Sequence, residues 1–161
     1  MVVAPCTVAA VQHAGGWLFD RVMAGWDATV LVADQLDSRP LRILGASTTD
    51  LESALRSPSR GPGPQAMAVE AGLYGSDGRV RRIVRAALDE GVTEVRIWGG
   101  LWPEDLDGEG DAVQHRLSTA ARAFKAQALA AAAAPVASIS STETFREPPR
   151  VGRTPGLLPV G

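Results

Sequence analysis

The sequence predicts an α/β domain, a small mixed-sheet layered α/β sandwich with a long C-terminal helix and a disordered tail. Three observations carry that prediction. Residues 15–34 read GGWLFDRVMAGWDATVLVAD, an amphipathic helix, a Gly-Trp-Asp break and then an apolar strand. Val80 to Leu88 recurs at helical offsets, and Thr93–Trp98 alternates at strand spacing. Helices and strands that take turns along a chain favour helices layered on a sheet.

Taken in order, residues 7–12 read as a short first strand, with His13 to Gly16 as its exit loop. Leu18, Phe19, Val22, Met23 and Trp26 share one stripe of the following helix, and Gly25 ends it. Thr29–Ala33 is a continuous apolar run, expected for a central strand covered on both faces. Leu41–Leu44 reads as a second strand. The short polar connection DQLDSRP before it suits an antiparallel hairpin better than a crossover. Thr48 or Thr49 caps a helix reaching about Arg56, with Asp50 and Glu52 in the first turn where the helix dipole favours acids.

The Gly and Pro residues of 57–65 predict a flexible loop. A short helix is expected over 66–73 and a clearer one from Ser76 and Asp77 to Gly91. In Thr93–Trp98, Val95 and Ile97 alternate with Glu94, Arg96 and Trp98, which places a half-buried strand near a sheet edge. From Asp111, the apolar residues Val113, Leu117, Ala121, Phe124 and Ala128 mark a helix that Pro135 ends. At that length it would span roughly 35 Å, enough to suggest packing on another chain. One domain over 1–135 is therefore expected, followed by a disordered Pro, Ser and Arg-containing tail over 136–161.

Composition narrows the function classes. The 161-residue chain is 45% hydrophobic with a net charge of −2, which supplies one sizeable core and no global field toward nucleic acid or an anionic membrane. Lys125 is the only lysine among 16 basic residues and Asn is absent. Arginine is thus almost the only cation in use, which weakens any single Arg as a sign of anion recognition. Cys6 is alone, so neither an intramolecular disulfide nor a cysteine-based metal site is expected. With no apolar stretch long enough to span a bilayer, the expected address is cytoplasmic.

Candidate sites follow from partial motifs. His13, Gly15, Gly16 and Asp34 stand where a Rossmann-like pocket would hold a nucleotide, but a dinucleotide fingerprint needs a third, spaced glycine. His13 and Asp34 are the catalytic candidates and Gly15, Gly16 and Asp34 the ligand-binding ones. Asp105, Asp107 and Glu109 in DLDGEG match the opening of a calcium loop, yet Arg116 stands where its chelating carboxylate belongs. Ser47 and Thr48 in GASTTD could meet a phosphate or cap a helix, and the nearby acids favour capping. A triad built on His13 or His115 does not close, because Ser47 leaves the opposite sheet edge. Arg79, Arg81, Arg82 and Arg85 read as a solvated helix face, which makes nucleic acid a disfavoured partner.

Four tryptophans stand out in a chain with few aromatics. Trp98 falls on the polar face of its strand, and with Trp102 and Phe124 it forms the interface candidate set. The preferred expectation is a non-catalytic protein-interaction or self-association module, a homodimer among its forms, with no cofactor, no metal and no membrane. The alternative is a small-molecule or nucleotide-binding protein or enzyme whose pocket lies by His13, Gly15, Gly16 and Asp34.

Overall fold

A computed structural model describes residues 1–34, 37–57, 61–136 and 138–149. Five parallel strands run β1 (Val2–Cys6), β2 (Thr29–Asp34), β3 (Ser47–Asp50), β4 (Ala66–Glu70) and β5 (Glu94–Trp98). They are joined by β6 (Asp111–Arg116) and β7 (Thr142–Glu147) into one sheet of order β3-β2-β1-β4-β5-β7-β6. β7 pairs antiparallel with β5, and β6 antiparallel with β7, so the sheet is mixed as expected. The chain winds outward from β1 to β3, then crosses back to lay β4 on the other side of β1.

Strand alternation sends side chains to two cores. Val2, Ala4, Val30, Val32, Ala68 and Trp98 face α1 (Thr7–Met23), α2 (Arg39–Ile43) and α6 (Thr119–Ala131). Val3, Leu31, Met67, Val69, Val95 and Ile97 face α3 (Leu51–Arg56), α4 (Ala71–Ser76) and α5 (Gly78–Glu90). Among the described residues no helix is long and apolar enough to cross a membrane.

The first strand is VVAPC rather than residues 7–12. Pro5 lacks an N–H, but it lies beyond Val3↔Val69, the last pair that β1 makes with β4, so no bond to β4 is lost. Residues 7–23 are a single helix, and its buried Ala10, Val11, Ala14, Trp17 and Leu18 follow the helical period. Gly15 and Gly16 are therefore helix-interior residues and not an exit loop. A Cβ on Gly16 would overlap the Leu117 side chain, and one on Gly15 would press on Leu44 at 3.3 Å. These glycines admit close neighbours; a ligand approach is not needed to explain them.

Several other elements differ from expectation. Leu41–Leu44 is not an antiparallel strand: α2 starts with Pro40 in its first turn and buries Leu41, with Leu44 as its cap residue. That helix is the crossover that makes β3 parallel to β2. The polar STTD segment becomes an edge strand instead of a capping loop. AMAVE forms β4 and not a helix, because it is buried on both faces between β1 and β5.

β5 lies inside the sheet, and α1 covers the face read as polar. Trp98 is 3% exposed. Arg96 on the same face sits between Trp17 at 5.6 Å and Phe145 at 5.4 Å, held by Glu94 at 2.7 Å and Glu147 at 3.3 Å. Arg21 bonds the same Glu94 at 3.0 Å and lies over Trp17 and Trp26. The alternation was real, but its charged residues pair with one another and lie against rings, while Arg96 Nη1 and the Trp98 indole N–H stay without a hydrogen-bond partner among the described residues.

At the C-terminal end, residues 111–116 pair as β6 and the helix begins only at Thr119. Ser118 caps it by accepting the Ala121 N–H at 2.9 Å. At 13 residues it is about 20 Å long, a length that one domain accommodates. Residues 142–147, assigned by composition to the tail, form β7; residues 150–161 of that expected tail lie outside the described residues, as do 58–60 of the expected loop.

Candidate functional site

In open sheets of this kind, ligands bind at the carboxyl ends of the strands where the winding reverses. Here that point lies between β1 and β4. Cys6 and Thr7 end β1, Glu70 ends β4, and the Trp98-Gly99-Gly100 turn ends β5. Thr7 is buried and its hydroxyl donates to the Asp37 carbonyl at 3.1 Å, tying the chain after β2 across the start of α1.

Glu70 is set by two glycines. One of its oxygens accepts the Leu73 N–H at 2.7 Å, capping α4. A Cβ on Gly72 would come within 3.0 Å of the carboxylate, and one on Gly99 within 3.4 Å. Gly99 and Gly100 have φ of +71° and +54°, a backbone that L side chains avoid. The turn after β5 can thus close over the Glu70 carboxylate.

His13 projects from the first half of α1. Its imidazole is held below the ordinary histidine range, first by partial desolvation and then by the positive charge of Lys125, while Glu143 and Glu70 act in the opposite sense. A histidine kept neutral near pH 7 with a carboxylate in electrostatic reach is fit to accept a proton. Asp34 ends β2 as an exposed residue paired with Cys6 in the sheet register. No hydrogen bond joins it to His13 among the described residues.

Beside Glu70, a cavity of about 220 Å³ opens between the β5 turn and β7, lined by Trp98, Gly99, Gly100, Trp102, Phe145 and Arg146 among others. The indole N–H groups of Trp98 and Trp102 are buried with no partner in the described structure. A larger open hollow of about 520 Å³ lies at the opposite edge, around Trp26, Asp27, Thr29 and Ser47. Strand starts line it, so the smaller cavity is the better candidate.

The remaining candidates have local roles. Asp105 accepts from Tyr74 Oη at 3.1 Å and from Arg85 at 3.0 Å. Although partial burial raises its carboxyl, those bonds outweigh it and hold it below the usual range. Asp107 and Glu109 do not complete a site with it: no group of three or more possible metal donors converges among the described residues, and β6 follows where the exit helix of a calcium loop belongs. Arg79 is bound by Glu52 and Asp77, and Arg81 and Arg85 reach Asp105, so these cations are partnered. Ser47 starts β3 at the edge away from His13. Trp102 is half-buried, and Phe124, 44% exposed, stacks on Phe19 with ring centres 4.6 Å apart.

His115, Asp20 and Ser118 do meet, in the wrong order for a triad. Asp20 stands between the other two, 2.8 Å from His115 Nε2 and 2.6 Å from the Ser118 hydroxyl that donates to it. The serine is thereby bonded to the acid and not to the base. This is a clasp between α1 and the β6–α6 junction. Desolvation pushes the Asp20 carboxyl up, yet the bonds from Ser118 and His115 prevail and hold it below its ordinary value. A carboxyl depressed in the fold contributes stability above its unfolded pKa of about 3.9, and that stability is lost as pH falls through the folded-state value. Asp20→Asn should therefore flatten the acid limb of a melting-temperature profile below about pH 4; an unchanged limb would show that the clasp adds nothing there.

No family model matches the chain, and no curated protein does. Among solved structures, one described as the antimicrobial reagent A40926 pseudoaglycone deacetylase Dbv21 superposes with a TM-score of 0.63 at 15% identity, covering 94% of this chain and 97% of its own. A second, a deacetylase triple mutant (Orf2*T) involved in a teicoplanin biosynthetic pathway, gives 0.62 at 15% identity, covering 91% and 95%. The chain has the fold of these two deacetylases. That finding overturns the preference for a non-catalytic interaction or self-association module, and with it the leaning against an enzyme. The burial of Trp98 removes the residue on which the interface reading chiefly leaned.

Proposed function

We propose that the protein is a small-molecule enzyme that hydrolyses an acyl amide at the carboxyl ends of β1, β4 and β5. The observation that carries this reading is a small cavity with unpaired buried donors at the carboxyl end of β5, where Gly99 borders Glu70 and Glu70 in turn lies within electrostatic reach of His13. The deacetylase fold of the two structural neighbours supports the reaction class. Size favours an acyl group over a dinucleotide, since pockets for drug-sized ligands hold about 300–1,000 Å³. A buried donor left unpaired costs about 1–3 kcal/mol, which an acceptor such as an amide carbonyl relieves.

In this reading the acyl group enters the cavity and its carbonyl oxygen accepts an indole N–H from Trp98 or Trp102. His13 removes a proton from the attacking water, the carbon–nitrogen bond breaks, and the proton passes to the departing amine. The negative charge of Glu70 stabilises the imidazolium formed in between. Cys6 has no part in these steps.

The test is a panel of N-acetylated amines and amino sugars assayed for free amine release. Turnover by the purified protein, reduced about 10²- to 10⁴-fold in His13→Gln, is expected from loss of a positioned proton acceptor. Undiminished turnover in His13→Gln, or none for any member of the panel, would contradict the reading.

A further inference from the structure

Two rungs of the α1 ladder are shared with side chains from distant parts of the chain. In an α-helix the N–H of one residue pairs with the C=O four residues earlier. Gly16 N–H therefore belongs with the Gln12 carbonyl, and Trp17 N–H with the His13 carbonyl. Here both N–H groups donate to the Glu143 carboxylate, one to each oxygen, at 2.8 Å. Lys125 Nζ donates to the Gln12 carbonyl at 2.6 Å and to Glu143 Oε1 at 2.6 Å. The ion pair thus adds a side-chain partner to the carbonyl of the 12–16 rung and to the donors of the 12–16 and 13–17 rungs.

Both members are sunk in the core, Lys125 at 5% and Glu143 at 4% exposure. The Lys125 stem passes Gly15 at ordinary contact distance, 3.6 Å from where a Cβ would stand, and the tight neighbour there is Leu44 at 3.3 Å. Buried pairs of this kind contribute little net stability against an apolar replacement, while fixing geometry is a use they can serve. The geometry fixed is specific. Lys125 holds the peptide group that joins Gln12 to His13, and Glu143 holds the Gly16 and Trp17 N–H groups one turn on.

We propose that Lys125 and Glu143 are positioning residues for His13, a two-sided clamp on its backbone that sets where its imidazole stands against Glu70. This rests on the reading of His13 as the proton acceptor. Lys125 from α6, Glu143 from β7 and Glu70 from β4 are the charged groups that act on the ring. Lys125 and Glu143 carry opposite signs, so removing both leaves a smaller change in field than removing either. What is lost is the clamp.

The test is an NMR titration of the His13 ring in the full chain, assigned with His13→Gln, together with exchange rates of the Gly16 and Trp17 amides. In the neutral double variant Lys125→Met/Glu143→Gln, both amides should exchange about tenfold faster or more, the order set by weakening bonds to a charged acceptor. The His13 midpoint should rise toward the ordinary value of about 6.5 as the ring, exposed on α1 and only partly desolvated, is no longer held in place. A folded double variant with the wild-type midpoint would overturn the proposal. Should that variant not fold, Lys125→Arg is read the same way, because a planar guanidinium cannot reproduce the compact ammonium between Gln12 and Glu143. There too an unmoved midpoint overturns it. The catalytic reading of His13 fails separately, by undiminished turnover in His13→Gln, which leaves the titration result standing.

Discussion

Glu143→Ala is expected to lower the folding free energy by about 3–5 kcal/mol, the range for removing one partner of a buried ion pair. The loss is large because a buried ammonium is left without its counter-charge. The Lys125 ammonium keeps the Gln12 carbonyl but loses its counter-charge, and the Gly16 and Trp17 N–H groups lose the carboxylate they share. Urea denaturation measures it directly. Replacing the pair as a unit, Lys125→Met with Glu143→Leu, should recover most of the loss, since no charge is then left unpaired. If the single and double variants are equally destabilised, the cost lies in packing, and the charge argument is contradicted.

Trp17→Ala should cost a similar amount, about 3–5 kcal/mol, as for other large aromatic truncations in a core. Trp17 is 2% exposed and tilts against Phe145 with ring centres 5.9 Å apart. The Arg21 and Arg96 guanidinium groups lie over it at 5.4 Å and 5.6 Å. Truncation opens a cavity and also takes a ring face from two cations, one of which, Arg96, is almost enclosed. Phe124→Ala is the contrast. Its ring is partly in water and its main asset is one stacked contact with Phe19, worth about 0.5–1.5 kcal/mol beyond the area it buries. Equal losses in the two variants, by the same denaturation measurement, would contradict this placement of the core.

The sequence made legible those elements whose periodicity matches their burial. The helix over Gly78–Glu90 is closed by Gly91 at φ +69°, and the apolar run TVLVA is a strand buried through Val30, Leu31 and Val32, both as the pattern implied. Elements whose chemistry depends on distant partners were harder to read. Gly15 and Gly16 look like a loop when only their neighbours in the chain are considered, because Leu117 and Leu44, distant in the chain, are what crowd them. STTD and AMAVE carry weak local strand preference, and the sheet on either side decides their conformation. β7 was hidden by its proline-containing surroundings, and its Glu143 is a buried acid that no local pattern announces.

The candidate site was half legible. His13 stood out as a histidine near strand ends, but its position in the first half of a helix was not visible. Glu70 drew no attention at all. The signal was present in glycines at Gly72, Gly99 and Gly100, which follow the ends of β4 and β5 and leave room for its carboxylate. The tryptophans were noticed as an exposed contact surface, whereas Trp98 is buried and the proposed reading uses the unpaired indole donors beside a cavity.

The central claim is that a small acyl amide binds at the carboxyl ends of β1, β4 and β5. Amide chemical-shift mapping of the ¹⁵N-labelled protein, titrated with acetamide and with N-acetylated amino sugars, tests it most directly. Shifts are expected to gather on Thr7, His13, Glu70, Gly72, Gly99 and Gly100, and on the indole N–H signals of Trp98 and Trp102. Shifts gathered instead on Gly25, Trp26 and Gly45 at the opposite edge, or no shifts at all, would contradict it.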